Sequence, residues 1–114
     1  MNYMFANCKI LSKLDLSSFN TYKVSDMSGM FKDCENLDEL DLSSFNTNNV
    51  IDMRCMFNNC NNLSELNLSS FNFNNVTDIM IMFYKCNNSN KVVINKLNVK
   101  KLKEEINISK IKFK

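Results

Sequence analysis

A spacing of 26 residues governs almost the whole chain: Phe5, Phe31, Phe57 and Phe83 share one column, and Cys8, Cys34, Cys60 and Cys86 share another. Leu14, Leu40, Leu66 and Val92 form a third column, and Leu16, Leu42, Leu68 and Ile94 a fourth. Phe19, Phe45, Phe71 and Leu97 form a fifth, with Asn20, Asn46, Asn72 and Asn98 beside it. A fixed period of this length marks a repeat architecture, in which each unit buries its apolar side by packing on its neighbours. The Phe and Cys columns are therefore read as a structural ladder. Repetition of this kind argues for a surface more than for an active site.

Residues 37–62 make up one central unit. Leu37-x-x-Leu40-x-Leu42 has leucine-rich-repeat spacing. Leu40 and Leu42 lie two apart, so both point to one face of a strand, and Glu39, Asp41 and Ser43 point to the other. Ser43-Ser44 and Asn46-Thr47-Asn48-Asn49 are turn formers. Val50, Met53, Met56, Phe57 and Cys60 then follow at steps of three and four, which predicts a short helix over residues 50–59. Asp52 falls in its first turn, where the helix dipole favours a negative charge, and Asn62 is placed to leave it in a left-handed conformation. The expected fold is an α/β repeat solenoid, a leucine-rich-repeat-like stack of 26-residue coils, each a short strand plus a short helix. The chain divides into a partial amino-terminal unit (1–10), three full units (11–88) and a degenerate basic unit or cap (89–114). In that last unit the Leu37, Met53 and Phe57 columns become Ser89, Glu105 and Ser109.

The string Leu40-Asp41-Leu42-Ser43-Ser44-Phe45-Asn46-Thr47-x-x-Val50-x-Asp52-Met53-x-x-Met56-Phe57-x-x-Cys60-x-Asn62-Leu63 resembles the BspA-type leucine-rich repeat, also known as the DUF285 repeat. The resemblance extends over about residues 4–88. It implies a leucine-rich-repeat-like solenoid from a large surface protein, with adhesion to host or cell-surface proteins as its role and the cell surface or the exterior as its location.

Charge is unevenly placed. Residues 1–90 hold 6 Lys/Arg and 10 Asp/Glu, a net −4, whereas residues 91–114 hold 8 Lys and 2 Glu, a net +6. The basic end is read as a solvated last coil rather than a nucleic-acid surface. No stretch is apolar and long enough for a transmembrane helix, and no signal peptide is visible. Met4-Phe5-x-x-Cys8 matches Met30-Phe31-x-x-Cys34, so the chain opens inside a unit. The expectation is a fragment of a longer protein or a truncated gene product, self-associating through an uncapped amino-terminal end where Met4, Phe5 and Leu11 stay partly uncovered.

The five cysteines do not read as a metal centre. One thiol per coil makes a line, and a line cannot converge on a tetrahedral ion. Cys8, Cys34, Cys60 and Cys86 are expected as buried thiols acting as small hydrophobes. Cys55 shares its column with Gly29 and Ile81, which predicts a loosely held, half-exposed and reactive thiol. The Asp26, Asp52 and Asp78 column lacks the Gly-rich turns of calcium-binding repeats. With no His, neither a Ser-His nor a Cys-His pair can form, and there is no phosphate-cradling Gly pattern. The reading is non-enzymatic, with no cofactor, no metal and no small-molecule substrate. The candidate partner surface is the strand face: Lys13, Asp15, Asp38, Glu39, Asp41, Glu65 and Asn67. Within it only the Lys13/Glu39/Glu65 and Ser12/Asp38/Ser64 columns vary between units enough to carry a specific epitope. The alternatives are a structural spacer and a gene fragment without independent function.

Overall fold

Strands begin where the leucine doublets place them. In the computed structural model, which describes residues 1–86, 91–102 and 111–113, β1 (Lys13–Leu14) pairs in parallel with β2 (Glu39–Leu40), Lys13 opposite Glu39. β3 (Glu65–Leu68), β4 (Lys91–Ile94) and β5 (Ile111–Phe113) form a second parallel sheet in that order, Glu65 opposite Lys91 and Val92 opposite Ile111. Leu16, Leu42, Leu66, Leu68 and Ile94 are buried, as the two-residue alternation requires. A 3-10 turn (Lys96–Asn98) leads into α1 (Val99–Leu102). The columns at Ser89, Glu105 and Ser109 lie outside the described residues.

The solenoid of strand-plus-helix coils does not form. The strands are short, they fall into two small sheets, and α1 spans only 4 residues. The body measures 34 × 33 × 23 Å with a radius of gyration of 12.7 Å, close to the roughly 13 Å of a globule of this length. Residues 50–59 form no helix: Asp52 bridges in parallel to Asp26 and Asp78, and residues 54–59 are a run of turns. Cys55 and Asn59 adopt φ of 58° and 62°, in the left-handed region, where a right-handed helix cannot continue. The positive φ expected at Asn62 thus falls three residues earlier, at Asn59.

Hydrogen bonding explains the choice. The N–H groups of Met53, Cys55, Phe57 and Asn59 donate to the carbonyls of Asp78, Met80, Met82 and Tyr84 in the next unit, at 2.9, 3.1, 3.0 and 2.7 Å. Met27, Gly29, Phe31 and Asp33 donate in the same way to Asp52, Arg54, Met56 and Asn58, and Tyr3, Phe5 and Asn7 donate to Ser28, Met30 and Lys32. Every second N–H therefore leaves its own segment. Short bonds such as Asn58 N–H to Cys55 O and Cys60 N–H to Phe57 O close the turns between them. Side chains at steps of three and four suit consecutive turns of this kind as well as a helix, so periodicity alone does not separate the two.

The core runs beneath these ladders. Phe31 and Phe57 are fully buried and stacked, with centroids 5.7 Å apart and planes 7° from parallel. Phe5 and Phe83 extend the stack at 5.8 and 6.0 Å, within the range of offset aromatic pairs. Met27, Met30, Met53 and Met56 fill the space beside it and are fully buried. At the amino-terminal end Met4 is exposed, and Phe5 and Leu11 are half-buried.

Candidate functional site

The polar columns are mostly turn chemistry. Asp15 Oδ1 accepts the Ser17 N–H at 2.9 Å, Asp41 Oδ1 the Ser43 N–H at 2.9 Å, and Asn67 Oδ1 the Ser69 N–H at 3.0 Å. The same Asx-turn recurs at Asn20, Asn46 and Asn72. A third series at Asp26, Asp52 and Asp78 caps the N–H groups of Ser28, Arg54 and Met80. Asp52 therefore serves a turn rather than the helix start expected of it. Hydrogen bonds from the hydroxyl and then the N–H of Ser17 hold the Asp15 carboxyl below its ordinary range, and Ser43 does the same for Asp41.

The strand face is only partly assembled. Asp15 and Asp41 line one shallow cleft of about 70 Å³ with Ser17 and Ser43, and Asp41 and Asn67 line a second of about 60 Å³. Register sets Lys13 beside Glu39, and their charged ends pair at 3.4 Å with both side chains about two-thirds exposed. Glu65 is exposed, but it stands in the second sheet, so no ladder of strand bonds joins it to Glu39. Asp38 is half-buried. Its N–H donates to Ser12 O, and its Oδ1 has no hydrogen-bond partner among the described residues.

The cysteine column has a bonding role that spacing did not reveal. Cys34 Sγ donates to Phe5 O at 3.1 Å, Cys60 Sγ to Phe31 O at 3.0 Å and Cys86 Sγ to Phe57 O at 3.0 Å. Each thiol thereby satisfies the carbonyl of the preceding unit's ladder phenylalanine. Burial raises the Cys34 thiol to about 11, and it raises Cys60 further. Cys8, Cys34, Cys55 and Cys60 are not in disulfides. Cys55 is half-buried; burial raises its thiol too, with Lys32 and Arg54 opposing the shift. Tyr3, Gly29, Cys55 and Ile81 all take positive φ, from 48° to 60°, so the column is a fixed left-handed turn.

A second feature escaped the sequence reading. Thr21 Oγ1 donates to Asn46 O at 3.0 Å and accepts the Asn46 N–H at 2.8 Å, and Thr47 repeats both bonds with Asn72. Phe73 occupies the same column in the third unit. There the surface opens into a groove of about 430 Å³ lined by Phe73, Asn74, Leu97, Asn98, Lys100 and Lys101. The column Thr21, Thr47, Phe73 held the signal.

Tandem units that share one register of turns, thiol bonds and backbone ladders define a repeat-built protein whose units recognise one another. The chain belongs to the family described as Mycoplasma protein of unknown function, DUF285, which matches residues 1–110. No curated protein and no solved structure matches it. Among the described residues no helix is long and apolar enough to cross a membrane.

Proposed function

We propose that the chain is a non-enzymatic protein-interaction module, an adhesive segment displayed at the cell surface. Its partner is a protein bearing a basic patch, met by the column Lys13, Glu39 and Glu65. One contrast carries this reading. Asp15, Asp41 and Asn67 on the same face are committed to turns, whereas Lys13, Glu39 and Glu65 are exposed, bond no turn and reverse charge between the first unit and the next two. Exposed positions without a turn to hold are free to carry specificity. Glu39 and Glu65, with Asp41 near them, bias the face toward positive charge, which speeds encounter and fixes orientation.

Beads coated with the chain and allowed to settle on cultured animal cells test the proposal. Coated beads should adhere well above blank beads, and soluble chain should compete. Glu39→Lys with Glu65→Lys should reduce adhesion by about tenfold, as expected when complementary charge is reversed. Lys23→Glu, at an exposed position on another column, should leave adhesion unchanged. Adhesion equal to that of blank beads, or equal for parent and double variant, overturns the proposal.

A further inference from the structure

The third unit departs from the rule its predecessors keep. Thr21 and Thr47 close the corner to the next unit with a reciprocal pair of bonds to Asn46 and Asn72. Phe73 has no hydroxyl to do this. Asn98, which stands where Asn46 and Asn72 stand, turns its N–H to Asn95 O at 2.9 Å and its side-chain amide to Phe71 O at 3.0 Å. The Phe73 ring folds inward against Phe71, 5.9 Å between centroids, and is 2% exposed. A groove of about 430 Å³ opens at this corner.

We propose that this groove binds a small soluble amphipathic anion: an aromatic or short acyl body carrying one carboxylate, sulfonate or phosphate. The volume lies in the range of small-ligand sites, roughly 300–1,000 Å³, and the described lining is mixed, with Leu97 apolar and Asn74, Lys100 and Lys101 polar. Leu97, an exposed leucine that a ligand would cover, supplies the apolar contact, whereas the Phe73 ring is turned into the core. Asn74 offers an amide, Lys100 and Lys101 supply positive charge, and among the described residues no acidic side chain lines the groove. The rest of the chain opposes anions, since residues 1–90 carry a net charge of −4. Two lysines beside a pocket suit one anionic group; a nucleic-acid strand requires neutralisation of many phosphates along a longer track.

Fluorescence and calorimetric titration with 1-anilinonaphthalene-8-sulfonate, beside its uncharged counterpart N-phenyl-1-naphthylamine, tests the site at about 0.15 M salt. One sulfonate per chain should bind, about tenfold or more tighter than the uncharged dye, as charge-assisted contacts require. Lys100→Glu with Lys101→Glu should remove that preference. Phe73→Thr, which restores the residue of the earlier corners, should abolish binding. Leu97→Asp, at an exposed position, should do the same if the Phe73 variant does not fold. Equal affinity for the two dyes, several dyes per chain, or unchanged binding in the variants overturns the proposal. So does cosedimentation with phosphatidylglycerol vesicles without binding of the soluble sulfonate, which would assign the groove to a lipid surface.

Discussion

Phe57 lies between Phe31 and Phe83, fully buried, at ring separations of 5.7 and 6.0 Å. Its own N–H and carbonyl bind the next unit as well: the N–H donates to Met82 O, and the carbonyl accepts the Cys86 thiol. Removing the ring leaves a cavity between two rigid neighbours, so Phe57→Ala should cost about 3–5 kcal/mol, read from urea melts of variant and parent. A loss under about 1 kcal/mol would contradict the burial assigned to Phe57. The thiols divide by access. Cys34 and Cys60 are fully buried and hydrogen-bonded, whereas Cys55 is half-buried, so timed alkylation with mass spectrometry should modify Cys55 first of these three. Equal rates would contradict the ladder. Their acidity has a further consequence. The fold raises Cys34 from 9.0 to about 11 and Cys60 further, so the native state keeps protons that the unfolded chain sheds. This stability is whole below about pH 9 and declines as pH rises toward the native values. The urea midpoint should fall above about pH 9, and less steeply in Cys34→Ala; identical slopes would contradict it.

At the scale of the element, the left-handed columns decide what each unit becomes. Tyr3, Gly29, Cys55 and Ile81 form one such column, and Asn7, Asp33, Asn59 and Lys85 form the other. Gly29 is the chain's single glycine, and a Cβ there would run into the Tyr3 ring. Ile81 sits at φ 48°, which a β-branched side chain tolerates poorly. Ile81→Gly should therefore stabilise the fold by about 1 kcal/mol in a thermal or urea melt, since left-handed backbone costs an ordinary residue roughly that much. Destabilisation would mean that the Ile81 side chain contributes more than its backbone costs. These columns also mark what the sequence could and could not convey. Leucines two apart announced the strands at β1, β2 and β3, because alternation has one structural meaning. Steps of three and four at Val50, Met53, Met56, Phe57 and Cys60 had two meanings. The residues that separate a helix from a ribbon of turns, Cys55 and Asn59, carry no strong local preference against a helix. The Asp and Asn columns were legible as repeated and structural, but not as three series of Asx-turns. The Phe73 groove was visible only as one discordant letter beside Thr21 and Thr47.

On the scale of the whole molecule, hydrogen bonds between neighbouring units unite the parts. Alternate N–H groups in each run of turns donate to the next run toward the carboxy terminus, from Tyr3, Phe5 and Asn7 to the second run and from Met53, Cys55, Phe57 and Asn59 to the fourth, while Asp38, Ile51 and the buried thiols donate back to the preceding unit. Contacts at this sequence distance replace the local bonds of a helix. They draw the chain into a body of 34 × 33 × 23 Å in place of an extended coil. They also leave the polar face divided between residues committed to turns and the exposed Lys13, Glu39 and Glu65. Residues 50–59 are therefore the decisive segment. Residue-resolved amide exchange and backbone chemical shifts by NMR test it most directly. Slow exchange at Met53, Cys55, Phe57 and Asn59, fast exchange at the exposed Arg54, whose N–H meets only the Asp52 carboxylate, and shifts reporting positive φ at Cys55 and Asn59 are the predicted result. Uninterrupted helical shifts with contiguous protection across residues 50–59 would contradict it.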